Sequence, residues 1–154
     1  GLICVGESAD APYIRRAVRW LKNTQNDDGG WGETCDSYRT TALKAKGVST
    51  ASQTAWAVMG LLAAGEIDSP VVERGVEFLL SRQKADGTWD EPEYTGTGFP
   101  NVFYLRYDLY RVTFPLFALG YYRNVRDGRD VRSVGEKCIA PPRSRGRFGS
   151  SMLP

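Results

Sequence analysis

The chain of 154 residues contains no histidine. That excludes Ser-His-Asp and Cys-His catalysis, histidine ligation of zinc and a histidine pH switch. Cysteine is scarce: Cys4, Cys35 and Cys138 make an odd set with no CxxC spacing. Free thiols in a reducing compartment, and no metal site, are expected. No apolar run reaches the roughly 18 residues of a membrane span; the best, 55–65, has 11. The short apolar opening has no basic stretch before it, so no secretory signal is expected. Nor does the chain open with Met, and it is expected to start partway through a protein.

What is present is globular in composition, with 42% apolar and 25% charged residues. The net charge of +2 hides an asymmetry. Residues 1–124 carry 13 Lys/Arg against 15 Asp/Glu, and residues 125–154 carry 7 against 3. The body is therefore not a nucleic-acid binder, and the basic character belongs to the tail.

The chain repeats itself. Arg16, Val18, Trp20, Leu21, Gln25, Asp28-Gly29 and Trp31 return, 58 positions on, as Arg74, Val76, Phe78, Leu79, Gln83, Asp86-Gly87 and Trp89. Pro12 and Pro70 keep the same offset, as do Glu33 and Glu91, and Thr54–Leu61 resembles Val112–Leu119. The opening 1–7 resembles 60–66, the end of an apolar helix, which implies that earlier repeats precede it.

Each repeat reads as a pair of helices. Ile14, Ala17, Val18 and Leu21 form one stripe at i, i+3, i+4, i+7 spacing, and Val72, Gly75, Val76 and Leu79 form another. Pro12 and Pro70 suit first turns, with Asp10 and Ser69 as candidate caps. These are amphipathic outer helices. The segment 51–64 is apolar nearly all round and stops at Gly65, as an inner helix would. Its counterpart spans about 107–123, with Pro115 kinking it or marking its start. The loops 26–50 and 84–105 are long enough to be functional. The predicted fold is all-α: part of an α/α toroid, an α6-α6 barrel, built from about two and a half helix-pair repeats. Its domain is 1–124, followed by a basic tail, 125–154, with six Arg, four Gly, four Ser and three Pro. The tail shows no helical stripe and is predicted to be disordered.

The recurrent Gln and Trp have a structural use. Gln25 and Gln83 stand at the ends of outer helices, where an amide both donates and accepts. Asp-Gly makes the turn, and Trp31 or Trp89 folds back as an apolar plate with its N–H bonded. The four residues are expected to staple neighbouring repeats.

Gln25–Glu33 and Gln83–Trp89 resemble the QW motifs of triterpene cyclases, and Ser49–Ala57 is similar to the same family. Tyr94-Thr95-Gly96-Thr97-Gly98-Phe99-Pro100, followed by Phe103-Tyr104-Leu105 and Tyr110-Arg111, resembles the bacterial squalene–hopene cyclase signature. The resemblance covers residues 1 to about 124. It implies an enzyme that folds squalene in an apolar cavity, protonates a terminal alkene with an aspartic acid and closes rings through a carbocation cascade to hopene or hopanol. It implies no metal or organic cofactor. It further implies a peripheral, monotopic place on the cytoplasmic side of a bacterial membrane, and a homodimer is a further partner expectation.

Carried over by motif, Phe99 and Phe103 would face the later cations, Leu105 would shape the pocket, Tyr107 and Tyr110 would line or support it, and Gly98 would leave room for substrate. The chemistry agrees with the composition: 94–122 holds ten of the chain's aromatics. Aromatic faces attract a cation by about 0.5–2 kcal/mol without supplying a nucleophile to trap it. Tyr104, Phe114 and Phe117 are expected to be core. Arg106 and Asp108 are expected to point away from substrate, since an unpaired charge facing an apolar cavity is costly.

The acid is missing. The family's DxDD motif does not occur here, and Asp86, Asp90, Glu91 and Glu93 read as a solvated acidic turn. The chain alone is expected to be inactive. The alternative is a non-catalytic helical repeat fragment that binds lipid or a partner chain. A protein prenyltransferase β-subunit, also an α/α toroid, is disfavoured because its zinc site includes histidine.

Overall fold

The structure, a computed structural model, describes residues 1–129. Four α-helices carry the fold: α1 (Pro12–Asn23), α2 (Ala51–Ala63), α3 (Pro70–Arg82) and α4 (Tyr110–Arg126). Short 3-10 turns lie at Ile3–Val5, Cys35–Tyr38 and Thr41–Leu43. The chain alternates outer and inner helices, α1 and α3 outside, α2 and α4 inside. The inner pair packs together most extensively, with α3 against α2.

Helix boundaries follow local chemistry. Pro12 and Pro70 open α1 and α3, where an absent N–H costs nothing. Neither predicted cap makes its bond. Asp10 lies before the N-cap residue Ala11 and pairs with Arg15 at 2.6 Å instead, while Ser69 holds the N-cap position without a side-chain hydrogen bond. α2 is capped by Thr50, whose hydroxyl accepts from the Gln53 N–H. It ends in a Schellman turn: Gly65 takes φ +85°, and the N–H groups of Gly65 and Glu66 reach the carbonyls of Leu62 and Leu61. Pro115 lies inside α4 and is buried there, so it does not mark the helix start. α4 begins three residues later than expected and runs on to Arg126, two residues beyond 124. The rest of the tail, 130–154, lies outside the described residues, as does Cys138.

α2 is the centre of the core, as an all-round apolar helix should be. Ala55, Val58 and Leu61 are fully buried, and Val72 and Leu79 of α3 close over them. The α3 stripe is buried throughout, but in α1 only Ile14 and Val18 are; Ala17 is exposed. The difference has a visible cause. Gly75, the counterpart of Ala17, lies under the Trp31 ring and Val58, while among the described residues nothing comparable covers Ala17. Outer and inner layers are also tied by charge, with Glu66, just past α2, meeting Lys22 at 2.6 Å and Arg15 at 3.4 Å.

The second long loop departs from an all-helical expectation. It contains an antiparallel hairpin, β1 (Gly96–Phe99) and β2 (Phe103–Leu105), paired Gly96 to Leu105, Thr97 to Tyr104 and Phe99 to Phe103, with an irregularity at Gly98. Its turn follows from sequence chemistry. Pro100 fixes the first corner, Asn101 takes φ +65°, and the Val102 N–H closes on the Phe99 carbonyl at 3.0 Å.

Candidate functional site

Both Gln–Trp segments fold the same way. The Gln25 amide donates to the Gly29 carbonyl at 2.8 Å, and Gln83 to Gly87 at 3.1 Å. Asp28 and Asp86 each accept the N–H two residues on, with Gly29 and Gly87 at positive φ. The Trp31 indole N–H donates to the Leu21 carbonyl at 2.8 Å, and that of Trp89 to Leu79 at 2.7 Å. Each indole therefore bonds a carbonyl near the C-terminal end of its own outer helix. Gln25 also reaches the next repeat: its amide donates to the Val71 carbonyl at 2.9 Å, and its oxygen accepts from the Arg74 guanidinium. The Trp31 ring completes the link by lying over Gly75.

The aromatic residues fall into two linked groups. On the inner helices, Trp56 of α2 meets Tyr110 and Phe114 of α4 edge to face, at centroid distances of 5.8 and 5.2 Å. Tyr110 and Phe114 pack together at 5.0 Å, and Tyr107 stacks on Tyr110 at 4.7 Å. On the hairpin, Phe99 and Phe103 form a T-shaped pair at 5.8 Å. Tyr107 joins the groups, since its ring lies against Gly96 of β1. Of the sequence-predicted residues, Tyr110 and Leu105 are half-buried, while Phe99, Phe103 and Tyr107 are 64%, 45% and 47% exposed. Gly98 has a definite steric partner: a Cβ there would sit 2.0 Å from Phe103 Cζ, so the space is taken by the Phe103 ring.

The neighbouring residues sort by partner. Tyr104 and Phe114 are half-buried, but Phe117, expected in the core, is 64% exposed. It stands on the face of α4 that no described element covers. Arg106 and Asp108 are both exposed; Arg106 donates to the Pro92 carbonyl, and Asp108 lies 3.8 Å from Arg111.

Glu91 is not in a solvated turn. It is buried, and its two oxygens accept from the Ser52 N–H at 2.8 Å and the Ser52 hydroxyl at 2.6 Å, at the first turn of α2. A carboxylate at a helix N-terminus is favoured by the unpaired N–H groups and the helix dipole. The one available signal was the recurrence of Glu at 33 and 91. Glu33 uses its carboxylate differently, accepting from the Ala45 N–H within its own loop. Trp56 and Arg111 also escaped sequence reasoning as site residues. Trp56 sits in an apolar helix where any large ring would suit the core, and Arg111, which donates to the Trp89 carbonyl at 2.6 Å, finds its partner 22 residues away.

Cys35 donates to the Tyr94 carbonyl at 3.3 Å, and burial, then the Asp36 and Glu33 charges, push its thiol pKa up. It is held as a thiol. Among the described residues, no three or more Cys, Asp or Glu side chains converge as a metal site.

These features define a class: paired-helix repeats stapled by Gln–Trp turns, with an aromatic face where inner helices meet a hairpin. Residues 1–124 match the family model of the squalene-hopene cyclase C-terminal domain, and the chain belongs to that family. It is 56% identical over 134 residues to the squalene–hopene cyclase of Bradyrhizobium diazoefficiens, covering 84% of this chain and 20% of that one. The squalene–hopene cyclase of Alicyclobacillus acidocaldarius is 52% identical over 164 residues, covering 75% and 26%. A dammaradiene synthase of Dryopteris crassirhizoma is also 52% identical, over 126 residues covering 71% and 18%. The chain thus spans about a fifth to a quarter of the length of these relatives.

Proposed function

We propose that the whole protein cyclises squalene or a related polyprene through a carbocation cascade, and that this chain supplies part of the aromatic cavity wall. The observation that carries the reading is the exposure of Phe99, Phe103 and Tyr107 beside the half-buried Tyr110–Phe114–Trp56 cluster. Large rings ordinarily bury themselves. Rings left open on one face suit a wall that other parts of a longer chain close. Within it, Phe99 and Phe103 offer their faces to the later cations, Tyr107 and Tyr110 support them, and Leu105 shapes the pocket. Gly98 serves by seating the Phe103 ring. Gln25, Trp31, Gln83 and Trp89 hold the repeats in register.

The proton donor belongs to sequence other than these residues. No DxDD is present, and the buried carboxylate, Glu91, is engaged through both oxygens by Ser52. This chain alone therefore makes no hopene. Among the described residues no helix is long and apolar enough to cross a membrane. An apolar hydrocarbon partitions into lipid, which supports a peripheral membrane station for the whole enzyme.

Squalene binding to the purified chain, compared with Phe99→Ala and Phe103→Ala, tests the wall. Weakened binding in both variants is expected; equal binding by all three proteins favours a helical repeat with no substrate role. Hopene formed by the 154-residue chain would overturn its assignment as a partial, acid-lacking piece.

A further inference from the structure

We infer that the strap Trp89–Glu91 is a positioning device that sets the aromatic wall, with Glu91 and Arg111 as its two arms. Three helices meet on these three residues. The Trp89 indole N–H fixes the strap to α3 through the Leu79 carbonyl at 2.7 Å. Glu91 holds the first turn of α2 through both Ser52 bonds. Arg111 brings the first turn of α4 to the Trp89 carbonyl at 2.6 Å.

Each arm ends one step from a ring of the wall. Trp56 stands four residues after Ser52, one turn along α2, and Tyr110 is the residue before Arg111, with Phe114 one turn further on. Trp56 meets Tyr110 and Phe114 across the α2–α4 seam. Their separations of 5.8 and 5.2 Å leave little slack, since aromatic pairs keep their preferred geometry only within about 7 Å. A single helical turn is about 5.4 Å, so a slip of a third of a turn, about 1.8 Å, in either helix changes the edge-to-face geometry with which Trp56 meets both rings.

The second cap on α2 is what makes the strap specific. Thr50 already caps the helix locally through the Gln53 N–H. Glu91 repeats that service from 39 residues away, and its site is nearly dry, with Ser52 fully buried and Glu91 6% exposed. Local helix formation has no need of a buried carboxylate brought in from the next repeat. Fixing α2 against the loop that also holds α4 does.

The functional consequence rests on the cavity-wall reading above, and the test separates the two. The chain is labelled with 5-fluorotryptophan, and the Trp56 resonance is assigned with Trp56→Phe. Glu91→Ala is expected to shift the Trp56 signal while those of Trp20 and Trp31 and the far-ultraviolet circular dichroism stay in place. Glu91→Gln, which keeps an acceptor, restores most of the shift, and Arg111→Lys moves Trp56 in part. In parallel, Glu91→Ala weakens squalene binding by about five- to tenfold, near the loss of one ring contact. Should Glu91→Ala fail to fold, Ser52→Ala, which removes one of the two bonds, is expected to give a smaller shift. An unmoved Trp56 signal in a folded Glu91→Ala or Ser52→Ala chain overturns the strap. A moved signal with unchanged squalene binding overturns its role in the wall. If the unmodified chain binds no squalene, the cavity reading falls, while the fluorine signals still support the strap as the element that positions these rings.

Discussion

Gly75→Ala sets helix propensity against packing, and the structure says which wins. In an exposed helix the change stabilises by about 1 kcal/mol. Gly75 lies inside α3, however, and is buried. A Cβ there would stand 2.7 Å from Val58 Cγ2 and 2.8 Å from Trp31 Cζ3. Carbon contacts are comfortable at about 3.5–4.0 Å, so both neighbours must retreat by about 0.7 Å or more. Neither has room, with Val58 fully buried and Trp31 5% exposed. Overpacking of this kind costs about 1–3 kcal/mol. Moving the indole also strains its bond to the Leu21 carbonyl, worth about 1 kcal/mol. The net expectation is a loss of about 1–3 kcal/mol. Urea unfolding followed by tryptophan fluorescence should show the midpoint falling by about 0.5–1.5 M for a slope near 2 kcal/mol/M. A midpoint above that of the unmodified chain would refute the packing argument and return the position to simple propensity.

Three further outcomes follow from single contacts. Trp89→Phe keeps most of the buried ring but removes the donor to the Leu79 carbonyl, and a loss of about 1–3 kcal/mol is expected by urea unfolding. Gly98→Ala places a methyl 2.0 Å from the Phe103 ring, so the Phe99–Phe103 pair should separate, seen as lost nuclear Overhauser contacts between the two rings. Asp86 has its pKa lowered, first by its side-chain and then its backbone hydrogen bond with Thr88. Its contribution is therefore present above the unfolded carboxylate value and fades as pH falls through the folded one. Asp86→Asn should flatten the acid limb of the stability profile, and an unchanged acid limb would show that the Thr88 bonds carry no such linkage.

Periodicity alone made the helices legible. The 58-residue offset placed two outer helices and one inner helix within a residue or two of their observed ends, because proline openings, a C′ glycine and buried stripes are local signals. The same offset singled out Gln25, Trp31, Gln83 and Trp89, and each Gln amide and each indole makes the same bond within its own repeat. Local signals failed where the deciding partner is distant. Gly75 reads as one more small residue in an amphipathic stripe, yet the fold lays a tryptophan from the preceding repeat over it. Glu91 sits in an acidic stretch that sequence treats as solvated, and only the fold delivers it to Ser52. Sequence fixes which residues are apolar, which turns are tight and what recurs. Tertiary structure alone decides which carboxylate becomes a cap, which glycine is covered and which rings from separate helices meet, because each depends on surfaces that come together only after the chain has folded.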